Sequence, residues 1–473
     1  TQEVAYESLL TPRRQALHGA AGRALEALYA DRLEVAYDRL AYHYSKTEQA
    51  PKAVEYLTRA AEKAARSYAH TEAVTALQEA LVHVEWLPIE ERDRRLLDLV
   101  LRQAESLHYL GRRQAIVDFL LEHQERLERL ADPSLAGPYF FRLGLTYTFL
   151  GNREETTRCA QRALQEAMRC GDKVTMGRAH RVLAMEGWCS GQLEEGAVHG
   201  RQAVSLLERT EERLWLGEAN WALAWDYYWM GDFERALETA ARVGAIGETI
   251  GSRRLQSEGA AMTGLSYATR GEWAAGTEVC QRAFDLSPDR YEAALSEGFL
   301  GRAYLEKGDL TEAVPVLEQA VHQANQVRSR QVQAWFAALL GEAYLLNGQI
   351  EQARDLSTKA LEIATAVKFL IGVGLAQRAL GRSAQTQGDL AEAQTHLNEA
   401  LQTFASIRAR FEVGRTHLDL AALAHAQGNR EAMATHLSEA HSLFKGLRVP
   451  KYVERTEQLA KEFGVSLSEK SAR

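Results

Sequence analysis

The chain has 473 residues, of which 46% are hydrophobic and 25% are charged, a balance typical of a folded protein and not of a disordered one. Its net charge of −8 at pH 7 argues against a nucleic-acid-binding surface, which needs clustered cations to replace phosphate counterions. Only 8 prolines occur, so the composition favours helix over nearly the whole length.

The first elements along the chain are predicted to be helices. The opening segment at 4–28, VAYESLLTPRRQALHGAAGRALEAL, is followed by a first helical hairpin with Glu48 at its turn. The marker residues of that hairpin are Ala41, Tyr44, Ala53 and Ala60. Another helix is predicted around TEAVTALQEALVHVEWL, and Pro88 then opens the helix that leads to Gly111, because proline is favoured at the first turn of a helix.

From Gly111 onward, a glycine followed by a polar residue recurs at intervals of 40 residues, with a single interval of 37. These glycines are Gly111, Gly151, Gly191, Gly231, Gly271, Gly308, Gly348, Gly388 and Gly428. Glycine relaxes the backbone, so that one helix can end and the chain can reverse direction. Between the glycines, apolar residues fall at i, i+3, i+4 and i+7, as in LTEAVPVLEQAVHQA. The repeating unit is therefore a pair of antiparallel helices.

Each turn glycine is accompanied by small residues at fixed distances. In the unit of Gly231, for example, Ala224 lies seven residues before the glycine, Tyr227 four before it and Ala236 five after it. Small residues on both helices let the helix axes approach closely, and the tyrosine fills the space beside them. Stacked pairs of this kind form an α-solenoid.

This pattern resembles the tetratricopeptide repeat, whose small and aromatic marker positions it reproduces in register over roughly residues 35–463. The usual repeat has about 34 residues, so each unit here is longer by about six. The resemblance implies an all-α fold, a right-handed superhelical solenoid of about ten hairpins. It implies the fold more strongly than any one function.

The two ends of the chain differ from the repeats. The segment at 1–34 is predicted to be a helical junction or cap, and 464–473 a polar tail. The motifs YESLL, RR…LH and LAYHYS resemble the junction that follows the ATPase module in large bacterial signalling proteins of the AAA or STAND type, some of which also contain an adenylate or guanylate cyclase domain. Maltose-activator-like regulators share this layout. The resemblance implies that the chain is the C-terminal part of a longer protein.

The sequence shows no motif typical of catalysis or of cofactor binding. The sequence has no GxxxxGK[ST] phosphate-binding loop, and Gly372-Val373-Gly374 lies within a predicted helix, where close packing explains it. His417, His425, His436 and His441 lack a metal-binding spacing such as HExxH, and the four cysteines show no CxxC pair. We therefore expect no enzyme activity, no cofactor and no metal in this chain, and reduced thiols in a cytoplasmic protein.

The segment WALAWDYYWMGDF is the strongest candidate for a binding surface. In tetratricopeptide repeats the first helix of each hairpin lines the concave side, and with the turn glycine at position 15 the positions facing the groove are 2, 5, 9, 12 and 13. In the unit of Gly231 these positions hold Trp221, Trp225, Tyr228 and Trp229. The same register assigns further groove residues: Phe141, Phe149, Arg178, Arg181, Met185, Trp188, Met262, Arg302, Arg378 and Arg382.

These residues predict a groove with an aromatic and methionine-rich middle and cationic flanks. Four large rings, even half exposed, would form an apolar patch of several hundred Å², which on a monomer usually marks a binding site. The alternative is that the rings pack on one another and close the groove. The preferred interpretation is a sensor or scaffold region of a signalling ATPase or cyclase that binds a partner protein, a peptide or a small effector in this groove, without nucleic acid or membrane. A self-assembly module is the second interpretation.

Overall fold

The computed structural model describes residues 10–467, and within these residues it contains helices and turns but no β-strand. This confirms the prediction of an all-α fold built from helical hairpins. Residues 1–9 and 468–473 lie outside the described part, and with them lie the YESLL motif and most of the predicted polar tail. None of the described helices is long and apolar enough to cross a membrane.

The described residues divide into two compact units, which we call unit 1 and unit 2. Unit 1 comprises the described residues up to Leu150 together with Arg162–Asp172. Its helices are α1 (Thr11–Leu28), α2 (Tyr37–Ser45), α3 (Ala50–Arg66), α4 (His70–Val84), α5 (Ile89–Tyr109), α6 (Arg113–Leu130) and α7 (Pro133–Leu150), and a 3₁₀ turn at Ala30–Ala36 joins the first two. The helix α8 (Arg153–Cys170) contributes residues to both units.

Unit 2 comprises Gly151–Gln161 and the described residues from Lys173 onward. Its helices are α9 (Lys173–Ser190), α10 (Leu193–Leu207), α11 (Arg213–Met230), α12 (Phe233–Ile250), α13 (Arg253–Arg270), α14 (Trp273–Leu286), α15 (Arg290–Lys307), α16 (Leu310–Gln326), α17 (Arg330–Leu346), α18 (Ile350–Ala366), α19 (Leu370–Gln387), α20 (Leu390–Ser406), α21 (Arg410–Ala426), α22 (Arg430–Gly446) and α23 (Pro450–Glu462). The predicted single array at 35–463 is thus divided within its length, and the predicted domain boundaries stay predictions.

The turn at Gly231 shows why glycine recurs at the centre of each hairpin. Gly231 ends α11 in the left-handed region, with φ of 81°. This conformation lets the Asp232 amide donate to the Tyr227 carbonyl at 2.9 Å, which satisfies a carbonyl that the helix end leaves unpaired. The Asp232 side chain then accepts a hydrogen bond from the Arg235 amide and caps α12.

Close contact between the two helices of a hairpin requires the small residues that the sequence repeats. A Cβ atom at Gly187 in α9 would lie 2.4 Å from the Cα of Gly196 in α10, so no larger residue fits there. The single interval of 37 residues coincides with α14, which has 14 residues where α12 has 18. The shortened repeat therefore loses helix length in α14 and keeps the glycine turns at Gly271 and Gly308.

The turns between consecutive hairpins hold a feature that the sequence pattern did not predict. At four of them a basic residue adopts positive φ: Arg328, Lys368, Arg408 and Arg448, at 55°, 52°, 56° and 55°. Earlier turns of the same kind use Gly171 and Gly251. A non-glycine residue in this region costs about 1 kcal/mol or more, so these turns carry backbone strain.

Candidate functional site

The aromatic residues assigned to the groove lie in the interior of unit 2. Trp221, Trp225, Tyr228 and Trp229 on α11 are all buried, and Trp225 is only 2% exposed. The expectation that these rings are accessible is therefore wrong in this structure. Trp188, Met185 and Met262, which the same register assigned to the groove, are buried in the same apolar core.

These rings meet rings from the first helices of other hairpins. The Trp225 ring centroid lies 5.4 Å from that of Trp188 on α9, 5.3 Å from that of Phe299 on α15 and 5.3 Å from that of Trp335 on α17. Trp229 contacts Trp335 as well, at 5.5 Å. The inner side of unit 2 is thus filled by its own aromatic side chains at distances typical of stable ring pairs. This arrangement corresponds to the alternative in which the rings pack on one another and close the groove.

Trp335, which is central to this cluster, was not among the predicted residues. It occupies position 2 of the hairpin of Gly348, so the register that assigned Trp221 would also have found it. Phe299 and Phe369 complete the cluster, and both are fully buried. Neither occupies one of the groove positions of its hairpin, and their place in the core follows from contacts between distant repeats.

The predicted cationic flanks are buried ion pairs. Arg302 on α15 and Arg378 on α19 both donate to Glu412 on α21, at 2.7 and 2.5 Å, and all three side chains are buried. Arg382 donates to Glu342 at 2.6 Å. These arginines are engaged by carboxylates inside unit 2, which corrects the expectation that they are open to a ligand.

Charge balance in this ionic cluster keeps its acids ionised. Burial alone would raise the pKa of Glu342, but Arg415, Arg382 and Arg378 outweigh that effect and lower the pKa to about 2. The pKa of Glu412 is likewise far below its ordinary value, because the nearby guanidinium groups outweigh its burial. Removal of one partner would leave a buried charge uncompensated, so the cluster stabilises the association of the four helices α15, α17, α19 and α21 only while it is complete.

Two further predicted arginines are also paired. Arg181 donates to Glu218 at 2.5 Å, and Arg178 donates to Glu212 at 2.7 Å. Close to Arg181 lie Glu258 and Glu292, and burial raises the pKa of Glu292 to about 7. This part of the interior therefore holds buried carboxyl groups whose pKa is raised by burial, beside arginines that already pair with other carboxylates.

Phe141 and Phe149 lie on α7 in unit 1. Phe141 is buried, whereas Phe149 is half-buried and is covered by the Arg113 guanidinium at 4.3 Å from the ring centroid. His108 approaches the Phe149 ring edge at 5.7 Å. Phe149 therefore has partners within unit 1.

Unit 1 contains a cleft of about 480 Å³ between α3, α4 and α5, which we call the unit 1 cleft. Its aromatic wall consists of Tyr68, which is 85% exposed, and Tyr109, whose ring stacks on His70 at 4.5 Å. Burial lowers the pKa of His70, which favours the neutral ring. Arg102 lines the cleft and donates to Glu62 at 2.6 Å. The cleft thus combines exposed rings with charges of both signs, and sequence reasoning missed it.

Most of the exposed large apolar side chains of the described residues also belong to unit 1. They are Leu10, Leu17, Leu28, Val35, Tyr42, Tyr68, Val82, Trp86, Ile89, Tyr109, Leu121, Leu150 and Met168. Trp86 is 79% exposed, and Val82 and Ile89 lie close to it along the chain. Clustered exposed apolar groups on a folded protein are typical of interaction surfaces. The described residues contain no group of three or more His, Cys, Asp or Glu side chains that could hold a metal ion.

Comparison with known families identifies the repeats. Residues 333–406 match one profile of the tetratricopeptide repeat, and residues 298–324 match a second. The chain therefore carries tetratricopeptide repeats, as the glycine and alanine pattern indicated, and it is a helical-repeat scaffold. No curated protein matches the chain.

Solved structures with a similar fold include a Rap protein complexed with Competence and Sporulation Factor. It is 14% identical with a TM-score of 0.60, and the match covers 76% of this chain and 99% of that one. A STAND protein with a tetratricopeptide repeat sensor from Pyrococcus horikoshii is 16% identical with a TM-score of 0.46, covering 82% of this chain and 57% of that one. The human IFIT1 dimer with PPP-AAAA is 16% identical with a TM-score of 0.47, covering 86% and 90%. Identities this low show the fold alone.

Proposed function

We propose that this chain is a non-catalytic scaffold that binds a protein or peptide partner, and that the binding surface is the unit 1 cleft. The observation that carries the proposal is the contrast between the two units. The inner side of unit 2 is filled by rings and ion pairs, whereas unit 1 has an open cleft beside exposed apolar side chains.

The chemistry of the unit 1 cleft suits an extended peptide with an apolar or aromatic anchor. Tyr68 and Tyr109 offer exposed rings, and Arg66 and Glu105 on the rim offer partners of both signs for polar groups of the peptide. Its volume of about 480 Å³ falls in the range of sites that accept one or two side chains or a small effector. The Rap structure of similar fold contains a bound factor, so helical arrays of this kind accommodate ligands.

The resemblance at the beginning of the chain extends the proposal. A scaffold that follows an ATPase or cyclase module would act as a sensor region in a bacterial cytoplasmic signalling protein, passing the bound state of unit 1 to the catalytic module. Differential affinity for two conformations would provide that coupling.

Self-assembly is the second candidate function, and the exposed position of Trp86, Val82 and Ile89 favours it. Two copies that pack these side chains together would remove apolar surface from water. Light scattering over a concentration series distinguishes this candidate, because Trp86→Ala should then abolish a concentration-dependent rise in mass.

Selection of peptides from a random display library against the full chain tests the cleft. We expect the selected peptides to lose affinity by about tenfold on Tyr109→Ala, since truncation of an aromatic anchor typically costs more than 1 kcal/mol. Tyr68→Ala should have a similar effect, and its high exposure keeps the fold intact. Tyr42→Ala is the matched control, because Tyr42 is an exposed tyrosine of unit 1 that does not line the cleft. Peptides that bind all three variants equally would show that the cleft is not the site.

A further inference from the structure

A second cleft lies entirely in unit 2, at the ends of several hairpins. It has a volume of about 420 Å³ and is bordered by the turn at Gly231, the start of α12, the end of α13 and two turns between hairpins near Arg408 and Arg448. These segments are distant in sequence and are brought together by the contacts between repeats. We call it the arginine cleft, after its residues Arg235, Arg270, Arg408, Arg410 and Arg448.

Charge is the distinguishing property of the arginine cleft. Five arginines and the three acids Glu194, Asp232 and Glu234 line it, which leaves an excess of two positive charges in a chain whose net charge is −8. No carboxylate of the described residues lies within ion-pair distance of Arg410, which is exposed. The nearest carboxylate to Arg270 is that of Glu272, at 3.6 Å. Two guanidinium groups are thus free or weakly held.

The other three arginines are paired: Arg235 with Asp232 at 2.7 Å, and Arg408 and Arg448 in pairs that a stronger anion can replace. Arg448 donates to Glu234 at 3.0 Å, and Arg408 pairs with Glu194. In both pairs the two residues are 214 positions apart in the sequence. Both pairs are more than half exposed, and exposed pairs of this kind contribute about 1 kcal/mol or less. The guanidinium groups can therefore turn toward a bound anion at little cost.

The chemistry of arginine indicates which anion the cleft suits. Arg408 and Arg448 are the residues that adopt positive φ in their turns, where glycine would avoid the strain. Guanidinium groups bind phosphate oxygens through two parallel hydrogen bonds, so several of them around one cavity favour phosphate over other anions.

We propose that the arginine cleft binds a small molecule that carries two or more adjacent phosphate groups. The volume of about 420 Å³ admits a pyrophosphate and also the nucleotide to which such a group is often attached. The polar lining disfavours an apolar ligand. The site lies in unit 2 and is independent of the peptide-binding proposal for unit 1.

Isothermal titration calorimetry of the full chain with inorganic pyrophosphate, at about physiological salt, tests the proposal. We expect binding that Arg410→Ala weakens by about tenfold or more, because a charge-assisted hydrogen bond is lost. The double variant Glu194→Gln and Glu234→Gln should bind more tightly than the wild type, since it removes competing carboxylates. A purely structural role for these residues predicts no such gain.

Arg330→Ala is the matched control, because Arg330 is likewise the first residue of its helix and lies outside the arginine cleft. It should bind pyrophosphate as the wild type does. A parallel titration with ATP distinguishes the source of the phosphates: tighter binding of ATP indicates a nucleotide, and equal binding indicates recognition of phosphate groups alone. Absence of binding at millimolar pyrophosphate would overturn the proposal, and so would equal affinity of Arg410→Ala and the wild type.

Discussion

Asp226 is a carboxyl group in the interior of unit 2 whose side chain lacks a hydrogen-bond partner. It is fully buried on α11, and neither of its side-chain oxygens has a hydrogen-bond partner. It packs against Gly196, where an added Cβ would lie 2.5 Å from its Oδ1. Burial raises the pKa of Asp226 well above the ordinary value, more than the distant Arg201 lowers it. Asp226 is therefore held in its neutral form over a pH range in which a free aspartate is ionised.

This burial predicts a pH-dependent effect of Asp226→Asn. In the unfolded chain the carboxyl group ionises near pH 4, whereas in the folded chain it stays protonated, so the folded state binds more protons above that pH and the wild type loses stability as pH rises. The amide does not titrate. We expect the variant to gain stability relative to the wild type by about 1 kcal/mol or more per pH unit above pH 4. Urea unfolding at pH 5 and pH 7 measures the difference.

Asp355→Asn serves as the control for the same change at an exposed position of α18. Its stability relative to the wild type should stay nearly constant between the two pH values. A constant difference for Asp226→Asn as well would mean that the buried carboxyl is ionised in the folded state.

At the level of elements, the turn glycines have a second role beyond reversing the chain. The turn at Gly191 contacts the turn that follows α20, and a Cβ at Gly191 would lie 2.2 Å from Cγ2 of Ile407. Gly231 has the same relation to Leu447, at 2.8 Å. At the corresponding contact one repeat before Gly191, Arg153 donates to the Val367 carbonyl at 2.7 Å. Turns of early repeats are thus held against turns of late repeats within unit 2.

Gly191→Ala should therefore destabilise the protein more than Gly348→Ala. Both glycines have positive φ, 85° and 81°, so both variants incur the left-handed strain of about 1 kcal/mol or more. Only at Gly191 does the added methyl group overlap a side chain, since no atom lies within 4 Å of a Cβ at Gly348. We expect an additional loss of about 1–3 kcal/mol for Gly191→Ala, the usual effect of overpacking. Chemical denaturation of both variants gives the comparison.

Ile407→Ala tests the cause of that loss. In the Gly191→Ala background it removes Cγ2, the atom that overlaps most, so the two changes together should cost less than the sum of their separate costs. Additive costs would indicate that the turns do not touch.

The same residues show which features of the fold could be predicted from the sequence and which could not. The spacing of glycine and alanine predicted the hairpins, because they depend on contacts within one or two repeats. The burial of Trp225 depends on Phe299 and Trp335, and the role of Gly191 depends on Ile407. These contacts result from the rotation accumulated over several repeats, which no local spacing encodes. The unit 1 cleft was missed because it lies where the regular period has not yet begun.

For the molecule as a whole, the two units differ in how completely they are packed. The core of unit 2 combines the aromatic cluster with the buried ionic cluster around Glu412, whereas unit 1 leaves many apolar side chains exposed. Buried apolar area is the main favourable contribution to folding, so unit 2 is expected to be the more stable of the two. The tryptophans allow a direct comparison, because of the eight only Trp86 lies in unit 1.

We expect the full chain to unfold in two steps in urea, unit 1 before unit 2. Far-ultraviolet circular dichroism follows helices of both units, so it should begin to change at lower urea than tryptophan fluorescence, which reports mainly on unit 2. Trp86→Phe removes the tryptophan of unit 1 and should leave a single fluorescence transition at the higher urea concentration. Coincident transitions for both probes, in the wild type and in the variant, would indicate one cooperative unit, since coincidence is the test of two-state unfolding.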